Sequence, residues 1–242
     1  MIKTAACTFK IHGLTESKLD DILKPVVLGP QAKLSFRARY PDLSLRLTVR
    51  GEQEKEAILE HLRNQIRTIL GAHVYSEEDI TLEEAVGRLL LKTHQTLSLA
   101  ESCTGGLISH RITRVPGSSA YFMGAAITYS NQAKLQFLGV KPATLEQYGA
   151  VSRETAIEMS QGIRKQTGTS IGLSVTGIAG PTGGSANKPV GTVWISIAQE
   201  GGAEAKLLRF HGDRERVILG ASQAALSWLH TTLLQKEPST NL

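Results

Sequence analysis

The chain has 242 residues, of which 41% are hydrophobic and 20% charged, and such proportions are typical of a soluble globular protein. No apolar run approaches the roughly 18 residues that span a bilayer, and the first residues lack a signal-peptide pattern, so we expect a cytoplasmic protein with no membrane partner. The two cysteines, Cys7 and Cys103, lie far apart, which argues against a disulfide framework or a zinc cluster.

The net charge of +5 is mild and is spread over the whole chain. Residues 1–80 contain 12 basic and 11 acidic side chains, and residues 81–242 contain 15 and 11. Neither part contains a run of basic residues. Because this balance suits a small anionic substrate at least as well as a polyanion, we expect a small-molecule ligand and no nucleic acid.

Residues 1–75 show the hydrophobic patterns of a small α+β domain. The predicted order is βαββα: a strand at 8–11, a helix at 17–28, strands at 33–40 and 43–50, and a helix at 52–70. The turn-forming pair Pro41-Asp42 indicates that the second and third strands form a hairpin. Residues 72–80 are polar and acidic, as is typical of a linker.

Residues 76–242 are predicted to form a second domain in which strands and helices alternate. Thr81 and Glu84 form a capping-box pattern in front of its first amphipathic helix. The later segments are strands at 96–100, 119–129, 170–175, 192–198 and 205–210, and helices at 105–113, 131–137, 152–168 and 213–234. This alternation predicts a layered α/β/α domain with at least one antiparallel edge pair. Residues 236–242 are predicted to fray.

A segment of mostly small residues, ESCTGG at 101–106, lies between a predicted strand and a predicted helix. Ligands gather at such strand ends in open α/β sheets, and the helix that follows presents free N–H groups to an anion. Ser102 is therefore a candidate nucleophile, and Thr104, Gly105 and Gly106 are candidate donors to an oxyanion or substrate. The same segment is equally consistent with a simple helix cap formed by Ser102 and Thr104.

A second strand-to-helix junction, TYSNQAK at 128–134, contains Tyr129, Asn131 and Lys134. A serine hydroxyl needs a base to become nucleophilic at neutral pH, and a lysine that has lost its proton can serve. Lowering a lysine pKa from about 10.4 to about 7 requires roughly 4–5 kcal/mol from burial or nearby cations. The alternative is a solvated surface lysine, which is the usual state of this residue type.

Two further segments have the composition of a nucleotide pocket. SVTGIAGPTGG at 174–184 follows a buried strand and offers Thr176, Gly177 and a flexible loop to phosphate or ribose. HGDRER at 211–216 begins a helix, where Arg214 or Arg216 can bind a phosphate bidentately or remain a solvated arginine. The loop matches neither a P-loop nor a dinucleotide-binding fingerprint. The seven histidines show no metal-ligand spacing, so no metal is expected.

Taken together, these segments resemble the C-terminal domain of CinA proteins, also called PncC, the nicotinamide-nucleotide amidases. The resemblance covers about residues 81–234. It is carried, in the same order along the chain, by AESCTGG at 100–106, GSSAYFMGAAITYSNQAK at 117–134, GAVS at 149–152, SVTGIAGPTGG at 174–184, KPVGTVWI at 188–195 and FHGDR at 210–214. Residues 5–75 are similar in layout to the small KH-type domain that precedes this domain in full-length CinA proteins.

The resemblance implies an amidohydrolase acting on a linear amide. Water would release ammonia from the carboxamide of nicotinamide mononucleotide and leave nicotinic acid mononucleotide. Ser102 matches the nucleophile of the family, Lys134 matches its base, and Tyr129 matches a helper near both. Thr176 and Arg214 match positions of the substrate pocket. No cofactor is implied, and a homodimer is expected because relatives form one.

The sequence departs from the family pattern at two places. Ile218 stands where many relatives have another arginine, so Arg216 is kept as an alternative phosphate contact. No segment of these 242 residues resembles the further N-terminal domain of full-length CinA proteins, which is similar to molybdopterin-binding proteins, so we do not expect the pyrophosphatase activity of that domain from them.

Four alternatives stay open. The same chemistry can act on another pyridine nucleotide or a related amide, because pocket contacts set specificity. The second domain can bind a nucleotide without chemistry, although Ser102, Tyr129 and Lys134 are all present. The KH-type layout suggests an RNA-binding module, but residues 1–80 contain no GXXG loop. Cys103 is a rival nucleophile, but in an extended segment its side chain points away from that of Ser102, so we expect it to be a packing residue.

Overall fold

A computed structural model describes residues 3–236, and the chain divides into two compact units with the boundary between Ala85 and Val86. This division lies inside the helix that begins at Leu82, after the predicted domain boundary at residue 75. Residues 237–242, which form most of the segment predicted to fray, lie outside the described residues.

The first unit is a four-stranded antiparallel sheet with two helices on one face. Its elements are β1 (Thr4–Ile11), α1 (Glu16–Leu23), β2 (Ala32–Arg39), β3 (Asp42–Arg50), α2 (Lys55–Leu70) and β4 (Val74–Ser76). The strand order is β2-β3-β1-β4. Alternate residues of the strands face the helices and form the core, whose fully buried members include Phe9, Leu19, Leu45, Leu47, Val49 and Ile66.

The βαββα prediction is confirmed for five elements, with two differences. The first helix ends at Leu23 and not at residue 28, because Pro25 has no backbone N–H to continue the hydrogen-bond ladder and its ring clashes with the preceding turn. The predicted linker contains a short strand, β4, which pairs with β1 through Ile11 opposite Val74. Three residues are too few to show an alternating pattern, so the strand is visible only through its partner.

The second unit contains a five-stranded mixed sheet. Its elements, together with the helix that enters it, are α3 (Leu82–Lys92), β5 (Leu97–Glu101), α4 (Leu107–Thr113), β6 (Phe122–Ile127), α5 (Asn131–Leu138), α6 (Pro142–Tyr148), α7 (Arg153–Thr167), β7 (Ile171–Gly177), β8 (Thr192–Gln199), β9 (Gly202–Arg209) and α8 (Arg214–Leu234). The strand order is β6-β5-β7-β8-β9, in which β5 runs parallel to β6 and β7 while β8 and β9 are antiparallel. Helices α7, α5 and α6 pack together on one face, and α4 and α8 pack together on the other. The predicted layered α/β/α fold is therefore confirmed.

The segment predicted as one buried strand over 119–129 is shorter and more exposed. Residues 118–120 form a single 3₁₀ turn, and only Phe122–Ile127 form strand β6. Strand β6 is at the edge of the described sheet and its residues alternate between half-buried and exposed, so that Met123 and Ile127 are 46% and 54% exposed. Helix α6 was not predicted at all.

By its length and composition alone, helix α8 could cross a membrane. Among the described residues it is the one helix that meets this criterion. However, 61% of its most apolar stretch is buried inside the protein. Fully buried residues on it include Val217, Ala221 and Leu226. Such burial is typical of the central helix of a folded domain.

Candidate active site

The three parallel strands of the second unit end at the same edge of the sheet, and the predicted site residues follow those ends. Ser102 comes directly after β5, Tyr129 lies just beyond β6, and Thr176 and Gly177 close β7. Ligands bind at this edge in open α/β sheets. The topology thus brings together three segments that are far apart in sequence.

Ser102 is held in a tight turn that leaves the sheet. Its backbone N–H donates to the carbonyl oxygen of Val175 at 3.0 Å, which continues the pairing of β5 with β7 by one residue. The N–H of Gly105 donates back to the carbonyl oxygen of Ser102 at 3.1 Å. The position of Ser102 is therefore fixed from both sides, and Ser102 lines a pocket.

Glu101, the last residue of β5, organises the beginning of α4. Its fully buried carboxylate accepts hydrogen bonds from the N–H groups of Gly106, Ile108 and Ser109 at 2.8–3.1 Å and from the Ser109 hydroxyl at 2.5 Å. A carboxylate at this place satisfies the free donors of the helix and favours its positive end. The amide of Gly106 is consequently occupied and does not face an incoming substrate.

Lys134 is buried one turn into α5, where it contacts Ser102. The hydroxyl of Ser130 accepts a hydrogen bond from the N–H of Ala133 and so caps this helix. Lys134 is only 1% exposed. Its Nζ lies 3.1 Å from Ser102 Oγ and donates a hydrogen bond to the carbonyl oxygen of Thr128 at 2.6 Å. Burial lowers the pKa of Lys134 to about 8, because desolvation penalises the ammonium form.

Cys103 also borders the pocket but is chemically less suited to attack. Burial raises the pKa of its thiol to about 12, so the reactive thiolate is scarce near neutral pH. The Lys134 amine has a hydrogen bond to Ser102 and none to Cys103. Among the two adjacent nucleophile candidates, the geometry favours the serine.

The pocket has a volume of about 210 Å³. It is lined by Ser102, Cys103, Tyr129, Lys134, Ala150, Val151, Thr176, Gly177, Ala179 and Arg214. The hydroxyl of Thr176 donates its hydrogen to the carbonyl oxygen of Ala150 at 2.8 Å, so the hydroxyl oxygen can still accept a hydrogen bond from a ligand. Gly177 has no room for a side chain, because a Cβ there would lie 2.9 Å from the carbonyl oxygen of Thr192.

Tyr129 and Arg214 form a polar rim above this pocket. One Arg214 nitrogen donates to the Tyr129 hydroxyl at 2.9 Å and another to the carbonyl oxygen of Gly180 at 2.7 Å. Tyr129 is 62% exposed, and its hydroxyl is bonded to Arg214 and not to the serine or the lysine. Arg214 is the first residue of α8, which Asp213 caps.

Five predicted binding residues do not line the pocket: Thr104, Gly105, Gly106, Asn131 and Arg216. Gly106 shapes the turn instead, because its φ of +97° favours glycine and a Cβ would lie 2.8 Å from Ile127 Cδ1. Asn131 is exposed at the first turn of α5. The N–H of Arg216 donates to Asp213 at 2.8 Å. The hydroxyl of Thr104 is buried without a hydrogen-bond partner among the described residues.

Sequence reasoning missed several contributors to this site, including Ala179 inside the loop motif at 174–184. Glu101 and Thr128 stood inside the two motifs, but their roles depend on a carboxylate and a carbonyl oxygen whose directions only the fold fixes. Ala150 and Val151 line the pocket with small apolar groups, and their only signal was the segment GAVS at 149–152. Among residues 3–236, no group of three or more His, Cys, Asp or Glu side chains is placed to hold a metal ion.

Comparison with known proteins identifies relatives that cover both units. Residues 79–233 match the family model of the CinA C-terminal domain, and residues 7–76 match that of the damage-inducible protein CinA KH domain. A CinA-like protein of Geotalea daltonii is 46% identical over 231 residues, which are 94% of this chain and 56% of that protein. A CinA-like protein of Geotalea uraniireducens is 43% identical and covers 93% and 54%. The chain thus spans about half the length of these curated relatives.

Crystal structures of CinA proteins resemble the larger part of the chain. A competence-damaged protein (CinA) superfamily member from Klebsiella pneumoniae has a TM-score of 0.62 and 35% identity, covering 64% of this chain and 96% of its own. The competence/damage inducible protein CihA from Agrobacterium tumefaciens has a TM-score of 0.60 and 37% identity, covering 66% and 100%. These names refer to competence and damage and do not state a reaction.

Proposed function

This chain belongs to the CinA family, and we propose that its second unit is an amidohydrolase that converts nicotinamide mononucleotide to nicotinic acid mononucleotide and ammonia. The observation that carries this proposal is the contact of Lys134 Nζ with Ser102 Oγ at 3.1 Å, at a buried lysine whose pKa is about 8. At pH 7.5 this pKa leaves about a quarter of Lys134 neutral, against about 0.1% for an unperturbed lysine.

The first step is attack on the carboxamide carbon. Neutral Lys134 has one lone pair, and because one of its N–H groups is engaged by Thr128, that lone pair can face the Ser102 hydroxyl. Ser102 loses its proton to Lys134 as its oxygen bonds to the carbon. The positive pyridinium ring withdraws electrons from the amide and makes its carbon more electrophilic.

The backbone N–H groups of Cys103 and Thr104 are the best-supported donors for the oxyanion. The N–H groups of Gly105 and Gly106 are occupied by Ser102 and Glu101, whereas those of Cys103 and Thr104 donate to no other residue in the described part of the chain. Two adjacent free amides beside a nucleophile suit the charge that develops on the carbonyl oxygen.

Breakdown of the intermediate uses the same lysine in the opposite direction. The Lys134 ammonium returns its proton to the nitrogen of the leaving group, so that ammonia departs and an ester of Ser102 remains. Lys134 is then neutral again and takes a proton from water, which attacks the ester and releases the carboxylate product. The serine and lysine are restored after each turnover.

The rim supports recognition of the nucleotide part. A volume of about 210 Å³ is below the roughly 300–1,000 Å³ of sites that enclose a whole ligand, so we assign only the pyridine carboxamide to the pocket. Arg214 borders the opening and carries the cation that a phosphate needs. Tyr129, bonded to Arg214, is positioned to orient that arginine or to contact the ring.

The test is product formation from nicotinamide mononucleotide by the purified chain, with ammonia and nicotinic acid mononucleotide measured separately. Ser102→Ala and Lys134→Ala should lower kcat by a factor of about 10³ or more. The matched control is Lys165→Ala, an exposed lysine of α7, which should stay within about threefold of the unchanged protein. Cys103→Ala tests the neighbouring thiol as the nucleophile instead, and it should retain catalysis because alanine keeps the backbone N–H.

A nucleotide-binding domain without chemistry is the alternative. It predicts that the chain binds the nucleotide in calorimetry but releases no ammonia at any enzyme concentration. Arg214→Ala separates binding from catalysis further, because loss of a phosphate contact should raise KM by about tenfold or more while kcat changes less. A variant with unchanged KM would remove Arg214 from the substrate site.

A further inference from the structure

The outer face of the first unit's sheet carries a row of basic side chains that the charge count of this segment conceals. Because residues alternate in strands, one face of β2 and β3 is the apolar core and the opposite face is exposed. The exposed cations of that outer face are Lys33, Arg37 and Arg39 on β2 and Arg46 and Arg50 on β3.

The antiparallel register arranges these cations as a ladder. Arg37 is opposite Ser44, Arg46 is opposite Ser35, and Lys33 is opposite Thr48. Successive rows on one face of a sheet are about 6–7 Å apart along the strands. Each of these three rows holds one cation from β2 or β3, and neighbouring rows take their cation from different strands. Arg50 continues the ladder on β3, and Arg39 begins it opposite Asp42. The spacing is comparable to that of neighbouring phosphates along one strand of nucleic acid.

The ladder has no acidic counterpart within its own rows, apart from Asp42 at its end. Lys33, Arg37, Arg46 and Arg50 form no salt bridge with a residue of the part of the chain that the structure describes. Most of the acidic side chains that balance the count lie on α1, around α2 and after β4: Glu16, Asp20, Asp21, Glu52, Glu54, Glu56, Glu60, Glu77 and Glu78. Asp79 is the exception, because it binds Lys10, which lies on β1 opposite Ser44, and Arg37 contributes to the lowering of the Asp79 pKa.

The residues opposite the cations indicate what this face binds. Each of three cations is paired across the hairpin with a serine or threonine, and β1 adds Thr8 opposite Arg46 and Thr4 opposite Arg50. Cations and hydroxyl donors together are the groups that contact phosphate oxygens in nucleic-acid complexes. The outer face of β2 and β3 has no aromatic side chain, so it offers no platform on which unpaired bases could stack.

We propose that this cation ladder of the first unit binds the phosphate backbone of double-stranded nucleic acid without reading its sequence. The charge complementarity and the row spacing specify a polyphosphate strand, and the lack of stacking groups specifies paired bases. This function is separate from the proposed amidase activity. It replaces the expectation of no nucleic-acid partner, which rested on net charge and on the missing GXXG loop and not on where the charges lie.

The experiment is fluorescence anisotropy with the full chain and a labelled DNA duplex of about 25 base pairs, titrated at several salt concentrations. Four phosphate contacts predict a slope of log affinity against log salt of about −3.6, which is a loss of about 150-fold between 50 and 200 mM salt. An RNA duplex should show a similarly steep slope, because only backbone phosphates are contacted. A single strand of the same length should bind less tightly than either duplex.

Charge-reversal variants assign the binding to this face. Lys33→Glu combined with Arg46→Glu should reduce the slope to about half and weaken binding at 50 mM salt by at least tenfold. The matched control is Lys18→Glu combined with Lys165→Glu, which changes the net charge equally on exposed helix positions and should have less than a threefold effect. Absence of duplex binding, equal losses in both double variants, or tighter binding of single strands would each overturn the assignment.

Discussion

The pH dependence of the proposed amidase reaction is the property that Lys134 should control. The base must be neutral to accept the proton of Ser102, so the rate follows the fraction of Lys134 that has lost its proton. With a pKa of about 8, this fraction is about 9% at pH 7 and about 91% at pH 9. We therefore expect kcat/KM to rise about tenfold between these values and to level off above pH 9.

An unperturbed lysine gives a different curve. With the ordinary pKa of 10.5, the neutral fraction rises about a hundredfold between pH 7 and pH 9 and continues to rise beyond pH 10. A plateau of kcat/KM above pH 9 is therefore better evidence for a lowered pKa of buried Lys134 than the rise of kcat/KM between pH 7 and pH 9. The substrate phosphate does not distort the curve in this range, because its second pKa is about 6.

The assay follows nicotinic acid mononucleotide by chromatography at fixed times from pH 7 to pH 10. Samples without enzyme correct for alkaline breakdown of the substrate, and Lys165→Ala serves as the lysine control with an unchanged midpoint. A flat profile between pH 7 and pH 9 would refute the role of Lys134 as base. A continued tenfold rise per pH unit through pH 10 would refute the lowered pKa.

Three further predictions concern stability. Lys134→Met should raise the free energy of unfolding by up to about 3 kcal/mol at pH 6.5, because the folded state no longer holds a buried ammonium. In the unchanged protein, the unfolded state binds more protons than the folded state between pH 8 and pH 10.5, so the free energy of unfolding rises with pH over this range. The stability advantage of the methionine variant should therefore be smaller in urea titrations at pH 9.5 than at pH 6.5. Gly162→Ala should lower stability by roughly 2–3 kcal/mol or prevent folding, because its Cβ would lie 1.9 Å from the carbonyl oxygen of Leu138, and an unchanged urea midpoint would contradict that packing. Glu101→Gln should cost about 2 kcal/mol, since the amide nitrogen cannot accept the hydrogen bonds that α4 donates, and equal stability of both proteins by urea titration would disprove this cap.

Periodicity was sufficient for most elements but not for pairing. The alternating pattern of residues 43–50 and the helical pattern of residues 52–70 predicted β3 and α2 with small errors at the ends. By contrast, β4 is defined by its partner β1, and the exposure of β6 follows from its place at the sheet edge. Neither property is a feature of the local sequence.

The site illustrates the same limit at the level of side chains. Motifs identified Ser102 and Lys134, but their contact depends on the parallel order of β5 and β6, which no local pattern fixes. The oxyanion donors were expected near Thr104 to Gly106, yet Glu101 occupies the amide of Gly106 and shifts the free donors toward Cys103. The charge count of residues 1–80 also did not reveal the cation ladder, because a count of charged residues does not show which of them lie on one face of the sheet.

A covalent bond between Ser102 and the substrate can be detected by peptide mapping with mass spectrometry of protein quenched in acid during turnover. The peptide containing Ser102 should gain the mass of the substrate's acyl group, and both the adduct and the product should disappear in Ser102→Ala. Steady product formation with no adduct on this peptide, and with full activity in Ser102→Ala, would rule out Ser102 as the nucleophile.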